Sequence, residues 1–138
     1  MRKDNCVFCK IIDGDIPSTT IYENPNFKVI LDVAPATLGH VLILPKEHFT
    51  DVFDIDAQTA GKLFQLATVV ARAMKQALHC DGMNILQNNG TIAGQTVFHF
   101  HMHLIPRYEG DGLHLAWKEQ ESKPEMLEEI RDRIRKAL

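Results

Sequence analysis

Apolar residues recur every three or four positions between Ala60 and Leu78, at Ala60, Leu63, Ala67, Val70, Met74 and Ala77. That is the spacing of one face of an α-helix. Asp54 and Asp56 stand just upstream as N-cap candidates, and Asp81-Gly82 marks the exit. A second helix is predicted from Ser122-Lys123-Pro124-Glu125, where Ser and Glu have capping-box spacing and Pro falls in the first turn. Its stripe is Met126/Leu127, Ile130, Ile134 and Leu138, so this amphipathic helix packs on its own domain or on a partner.

Strand patterns are shorter. A β-rich run from Phe27 to Val33 follows the Asn24-Pro25-Asn26 turn and pairs as a hairpin with a strand through Ile21-Tyr22. Val41–Leu44 is a third strand, and Met83–Gln87 and Val97–Ile105 are the fourth and fifth. Strands, one long helix, then strands again predict an α+β domain: an antiparallel sheet of about five strands, plus the C-terminal helix. With one main helix to cover it, part of the sheet or an edge is left for a second subunit.

Length and composition narrow the class. The 138 residues suit one domain, with a core over about 6–108 and a tail and helix over 109–138. Fifteen basic and eighteen acidic side chains leave a net charge of −3, which carries no nucleic-acid footprint. No apolar run is long enough to cross a bilayer, and Met1-Arg2-Lys3-Asp4-Asn5 leads into no signal-peptide core. Three cysteines are an odd count, two of them in the pair Cys6-Val7-Phe8-Cys9. This usage fits a reducing cytoplasm, with Cys80 a small buried apolar residue.

The last strand carries the chemistry. In Val97-Phe98-His99-Phe100-His101-Met102-His103-Leu104-Ile105, period-two alternation sends His99, His101 and His103 to one face and the apolar residues to the other. Imidazoles titrate near pH 6.5, so each is a candidate nucleophile, proton carrier or metal ligand. His-x-His on a strand is equally metal-ligand geometry, which leaves a metal-dependent hydrolase open. Upstream, Asn88, Gln95 and Thr96 offer side-chain donors, and Gly90 and Gly94 allow close backbone approach to oxygen atoms. The same stretch also reads as a plain hairpin at Asn89-Gly90. Cys6 and Cys9 supply half of a tetrahedral metal site, or a buried thiol pair.

The His-φ-His-φ-His-φ-φ run, with φ apolar, resembles the signature of the histidine-triad (HIT) family. The likeness extends through Asp32, the run Gly39-His40-Val41-Leu42-Ile43-Leu44-Pro45-Lys46, Asn88 and Gly94-Gln95-Thr96. It is similar to the HINT-like branch in its bacterial zinc-containing form, over roughly Cys6 to Arg107.

The resemblance implies a nucleotide hydrolase or transferase acting on AMP-type phosphoramidates, a purine nucleotide substrate and a homodimer. His101 would be the nucleophile, forming a nucleotidyl-histidine. Its second ring nitrogen would donate to a backbone carbonyl or carboxylate. His103 would donate to phosphate oxygens, and Thr96 stands where related chains carry Ser. Asp32 would hold the ribose hydroxyls, with Val33 and Phe27 against the base. Asn88, Gly94, Gln95 and Thr96 would cradle the phosphate. His48, in Pro45-Lys46-Glu47-His48, and His99 would complete a structural zinc site with Cys6 and Cys9. His40 has a counterpart near the family's active site, but a buried, hydrogen-bonded core histidine accounts for it equally. His79 and His114 read as surface residues. A nucleotide-binding scaffold without turnover remains the non-enzymatic alternative.

Overall fold

Five strands form one antiparallel sheet in the order β1-β2-β3-β5-β4. They are β1 (Thr20–Glu23), β2 (Phe27–Leu31), β3 (Val41–Pro45), β4 (Gly82–Leu86) and β5 (Met102–Arg107). Helices α1 (Val7–Asp13), α2 (Ala57–Leu78) and α3 (Pro124–Ala137) complete the α+β fold. The computed structural model describes residues 3–138; Met1 and Arg2, part of the leader argument, lie outside them. No helix among the described residues is long and apolar enough to cross a membrane.

The central strand β3 is buried along its whole length because both faces of the sheet are covered. On one face α2 lays Leu63, Ala67, Val70 and Met74 against Phe27, Val29, Val41, Ile43, Phe100, Met102 and Leu104. Burying a side chain of this size contributes about 1.5–3 kcal/mol. On the other face Cys6, Phe8 and Cys9 pack on Ile30, Leu42 and Leu44. The sequence reading expected one covering helix and missed α1. With 7 residues, α1 is too short to show a period, and its anchor is the Cys6–Cys9 pair.

α2 begins where Asp56 accepts the Thr59 N–H at 2.8 Å, while Asp54 turns to the Thr50 N–H. It ends at His79 in the left-handed conformation, earlier than the Asp81-Gly82 exit, and Gly82 already belongs to β4. α3 starts one residue later than the capping-box reading. Lys123 is its N-cap with no side-chain bond, and Pro124 takes the first helical position that its locked φ favours. Every residue of α3 is exposed, so the helix does not pack on its own domain.

The fifth strand is also shorter at its start than Val97–Ile105. The β3–β5 ladder runs only over Val41↔Leu104, Leu42↔His103 and Ile43↔Met102. Pro45 has no N–H to extend it, and its carbonyl is taken by the His99 ring at 2.8 Å. His99 and His101 therefore sit on extended chain held by specific contacts rather than by the ladder. Phe27, expected against a base, lies in the core under α2 at 4% exposure.

Candidate active site and metal centre

Gly39 opens the site. Its φ of +93° and the 2.6 Å that a Cβ would leave to Leu78 make a side chain impossible without rearrangement. β3 thus starts close under the end of α2, and His40 enters the sheet buried. A peptide N–H can only donate, so His40 Nδ1 accepts from Ala36 at 3.0 Å. The proton of neutral His40 is then on Nε2, which donates to His103 Nδ1 at 2.9 Å. His103 in turn carries its proton on Nε2. Asp32 stands behind this pair: Oδ1 accepts the Ala34 N–H at 2.9 Å, and Oδ2 lies 3.7 Å from His40 Nε2.

His101 is oriented by the backbone. A carbonyl can only accept, so the 2.6 Å contact between His101 Nδ1 and His99 O places the proton on Nδ1. Nε2 is left with a lone pair. Phe8 packs edge-on against this ring at 4.9 Å between centroids, and the His103 ring lies 4.9 Å away on another side. Burial pushes His101 below the usual imidazole value, against the His99 carbonyl, which favours the charged ring. Burial and the neighbouring His101 and His40 push His103 down to about 4. Burial also lowers His40 despite Asp32. Three neutral imidazoles therefore face one another at pH 7.

The preceding loop is wider than a two-residue hairpin. A 3-10 turn over Thr91–Ala93 separates Gly90 from Gly94, both at positive φ. Gln95 is 2% exposed, and its amide is fully engaged. Oε1 accepts from Gly90 N–H, and Nε2 donates to Thr50 O and Val97 O. Gln95 therefore shapes the loop and has no N–H left for a phosphate. Asn88 Nδ2 reaches Gly94 O at 3.5 Å. Thr96 is exposed and lines a cleft of about 450 Å³ beside Cys6, His48 and Phe98. Val33 is 92% exposed beside Asp32.

A second cluster lies on the α1 side. Cys6 Sγ, Cys9 Sγ, His48 Nδ1 and His99 Nδ1 converge on one point. Four of the six separations are 3.5 Å for Cys6–His99, 3.4 Å for Cys9–His48, 3.6 Å for Cys9–His99 and 3.2 Å for His48–His99, and all lie within 4.8 Å. A tetrahedron with Zn–S of about 2.3 Å and Zn–N of about 2.0–2.1 Å has edges of about 3.3–3.8 Å. The donor set thus fits a tetrahedral zinc-type ion. The His99 Nε2–H donates to Pro45 O, which leaves Nδ1 the ligating nitrogen. Burial raises the Cys6 thiol, and the Cys9 N–H on its sulfur works in the opposite direction.

By contrast, the Asp32–His40–His103 group is a poor metal site. A metal on His40 Nε2 would place the ring proton on Nδ1, directly against the Ala36 N–H. All three cysteines are free thiols, and Cys80 is buried.

A family model described as the HIT domain matches residues 13–110. The chain belongs to the histidine-triad family. This HIT chain is 35% identical over 131 residues to the adenosine 5′-monophosphoramidase of Schizosaccharomyces pombe, covering 94% of this chain and 96% of that one. A HIT family protein from Bacillus anthracis superposes with a TM-score of 0.92 at 43% identity, over 98% of each chain. A Zn-bound histidine triad protein from Mycobacterium smegmatis superposes with a TM-score of 0.76 at 44% identity, over 84% of each chain. His40 and Phe8 are the site residues whose roles the sequence reading did not assign. A lone histidine opening an otherwise apolar strand, and its counterpart near the family's active site, were the signals for His40.

Proposed function

We propose that this HIT protein hydrolyses nucleoside phosphoramidates of the AMP type through a nucleotidyl-histidine on His101. The observation that carries the reading is the 2.6 Å bond from His101 Nδ1 to the His99 carbonyl, which leaves Nε2 as an uncharged nucleophile. Similarity to a named monophosphoramidase supports the substrate class.

In this reading His101 Nε2 uses its lone pair to form a bond to phosphorus. The P–N bond breaks, and the amine leaves with its electron pair, taking a proton from solvent. Water then attacks phosphorus, the P–Nε2 bond breaks, and AMP departs as a proton passes to solvent. His103, holding its proton on Nε2, donates to a phosphate oxygen as charge develops. Asp32 binds the ribose hydroxyls, with Val33 toward the base. Asn88, Gly94 and the Thr96 hydroxyl line the phosphate side, and Gln95 holds that loop in shape.

Zinc bound by Cys6, Cys9, His48 and His99 would tie α1 to the approach to β5. The metal-dependent alternative is disfavoured because His103, protonated on Nε2, offers no second ligand beside His101. The protein works as a homodimer in a reducing cytoplasm, where its three cysteines stay out of disulfides.

The test is turnover of adenosine 5′-phosphoramidate, with mass spectrometry of acid-quenched protein to find AMP on His101. His101→Ala is expected to lose turnover and the adduct while still binding AMP. Wild-type turnover by that variant would overturn the assignment.

A further inference from the structure

Cys6 belongs to two features at once. Its sulfur is one corner of the Cys6–Cys9–His48–His99 cluster, and its side chain also lines the cleft of about 450 Å³ beside Thr96. Cys6 is 8% exposed where Cys9 is 1%, so solvent reaches the cluster at Cys6. Lys3, Asn5 and Thr50 make the rim of that cleft polar. A water molecule takes up about 30 Å³, so an oxidant little larger than water, such as hydrogen peroxide, enters readily.

The thiolate is both the metal ligand and the form of cysteine that attacks an oxidant. Cys6 and Cys9 hold their sulfurs within 4.8 Å of one another, and the Cys9 N–H donates to Cys6 Sγ at 3.3 Å. Cys9 is thus in place to capture an oxidised Cys6, while Cys80 lies outside the cluster.

We propose that Cys6 is a peroxide-reactive site, and that its oxidation to a Cys6–Cys9 disulfide releases the metal and disengages His101. The Cys6 thiolate attacks one oxygen of hydrogen peroxide; the S–O bond forms, the O–O bond breaks and hydroxide leaves. The Cys9 thiolate then attacks the Cys6 sulfur; the S–S bond forms, the S–O bond breaks and a second hydroxide leaves. Two thiolates lose two electrons, the peroxide gains them, and both hydroxides take protons from solvent. In a reducing compartment the pair rests as thiolates and the disulfide is transient.

The effect on His101 follows from the packing. Zinc is held by deprotonated thiols, so the disulfide removes two of its four ligands. Closing the pair draws the sulfurs together from their ligating separation, which moves the first turn of α1 and Phe8 with it. Phe8 packs edge-on against His101, and His99, another ligand, supplies the carbonyl that orients the same ring. The loss of turnover rests on the His101 reading; the disulfide and the metal release do not.

The test treats the full-length, zinc-loaded protein and its Cys80→Ser variant with hydrogen peroxide. A chromogenic chelator follows zinc, mass spectrometry finds the disulfide, and adenosine 5′-phosphoramidate reports turnover. Both proteins are expected to form the Cys6–Cys9 disulfide, two hydrogens lighter than the dithiol, and to free zinc in step with it. Turnover should fall by about 10²-fold, the effect of a misplaced catalytic group, and return with a thiol reductant and added zinc. A diketone trap added early should mark Cys6 as the sulfenic acid. Zinc retained with both thiols intact, a chain that takes up no zinc, or sulfinic acid in place of the disulfide overturns the site. A trap mark on Cys9 alone does the same. Unchanged turnover in the disulfide form overturns the switch. If the reduced protein turns over no phosphoramidate, the function reading fails by itself, and histidine-ring NMR then tests the coupling. The Nδ1–H signal of His101 is expected in the reduced protein and not in the oxidised one; its persistence overturns the coupling.

Discussion

The carbonyl of His99 accepts the Nδ1–H of His101 at 2.6 Å, while the His99 ring points its own Nδ1 into the Cys6–Cys9–His48 cluster. One residue therefore serves the candidate metal centre with its side chain and orients the candidate nucleophile with its backbone. Phe8, held between the two cysteines, adds a second link through its edge-on contact with His101. Whatever holds the cluster together also holds the His101 ring.

Loss of zinc should first be seen as loss of stability. An ion present at 1,000 times its Kd stabilises the folded chain by about 4 kcal/mol. Dialysis against a chelator, or Cys9→Ser, is expected to lower the thermal midpoint by the corresponding amount. Elemental analysis should give one zinc per chain before treatment. An unchanged midpoint in a chain shown to be metal-free would contradict the site.

His40→Ala should impair chemistry more than binding. Without the Nε2–H of His40, His103 is free to change tautomer and rotate, and misplacement of about 1 Å costs on the order of 10²-fold in rate. The expected outcome is that drop in kcat for phosphoramidate hydrolysis with KM nearly unchanged. Steady-state kinetics on the purified variant decide the matter.

Acid should destabilise the protein through His103. Its value is about 4 when folded and 6.5 in the unfolded chain. As pH falls through that window, the unfolded state binds the proton first, so stability decreases from about pH 6.5 to 4 and this contribution levels off below. One proton gives a slope of up to about 1.4 kcal/mol per pH unit. Urea unfolding across that range should show a shallower decline in His103→Gln, which has no proton to take up at this position.

Leu63 should be among the costlier core positions. It is fully buried in the α2 face against the sheet, and truncation leaves a cavity there. Leu63→Ala is expected to lose about 2–5 kcal/mol of unfolding free energy in urea titration.

Local patterns were sufficient for much of the fold. The 3–4 spacing from Ala60 to Ala77 marks α2, since an amphipathic face must repeat with the helix turn. Each strand lies where β-rich residues meet turn residues. Period two puts His99, His101 and His103 on one side, and the Cys pair announces half a metal site. Three neighbouring histidines look alike in sequence, however, and only their partners from distant segments distinguish them. Pro45 and His48 claim His99, the His99 backbone claims His101, and His40 claims His103. The tertiary structure also decided that α1 covers the second face and that Gln95 is spent on backbone. A ring's tautomer and an amide's free valence depend on atoms brought close by folding, which no local spacing encodes.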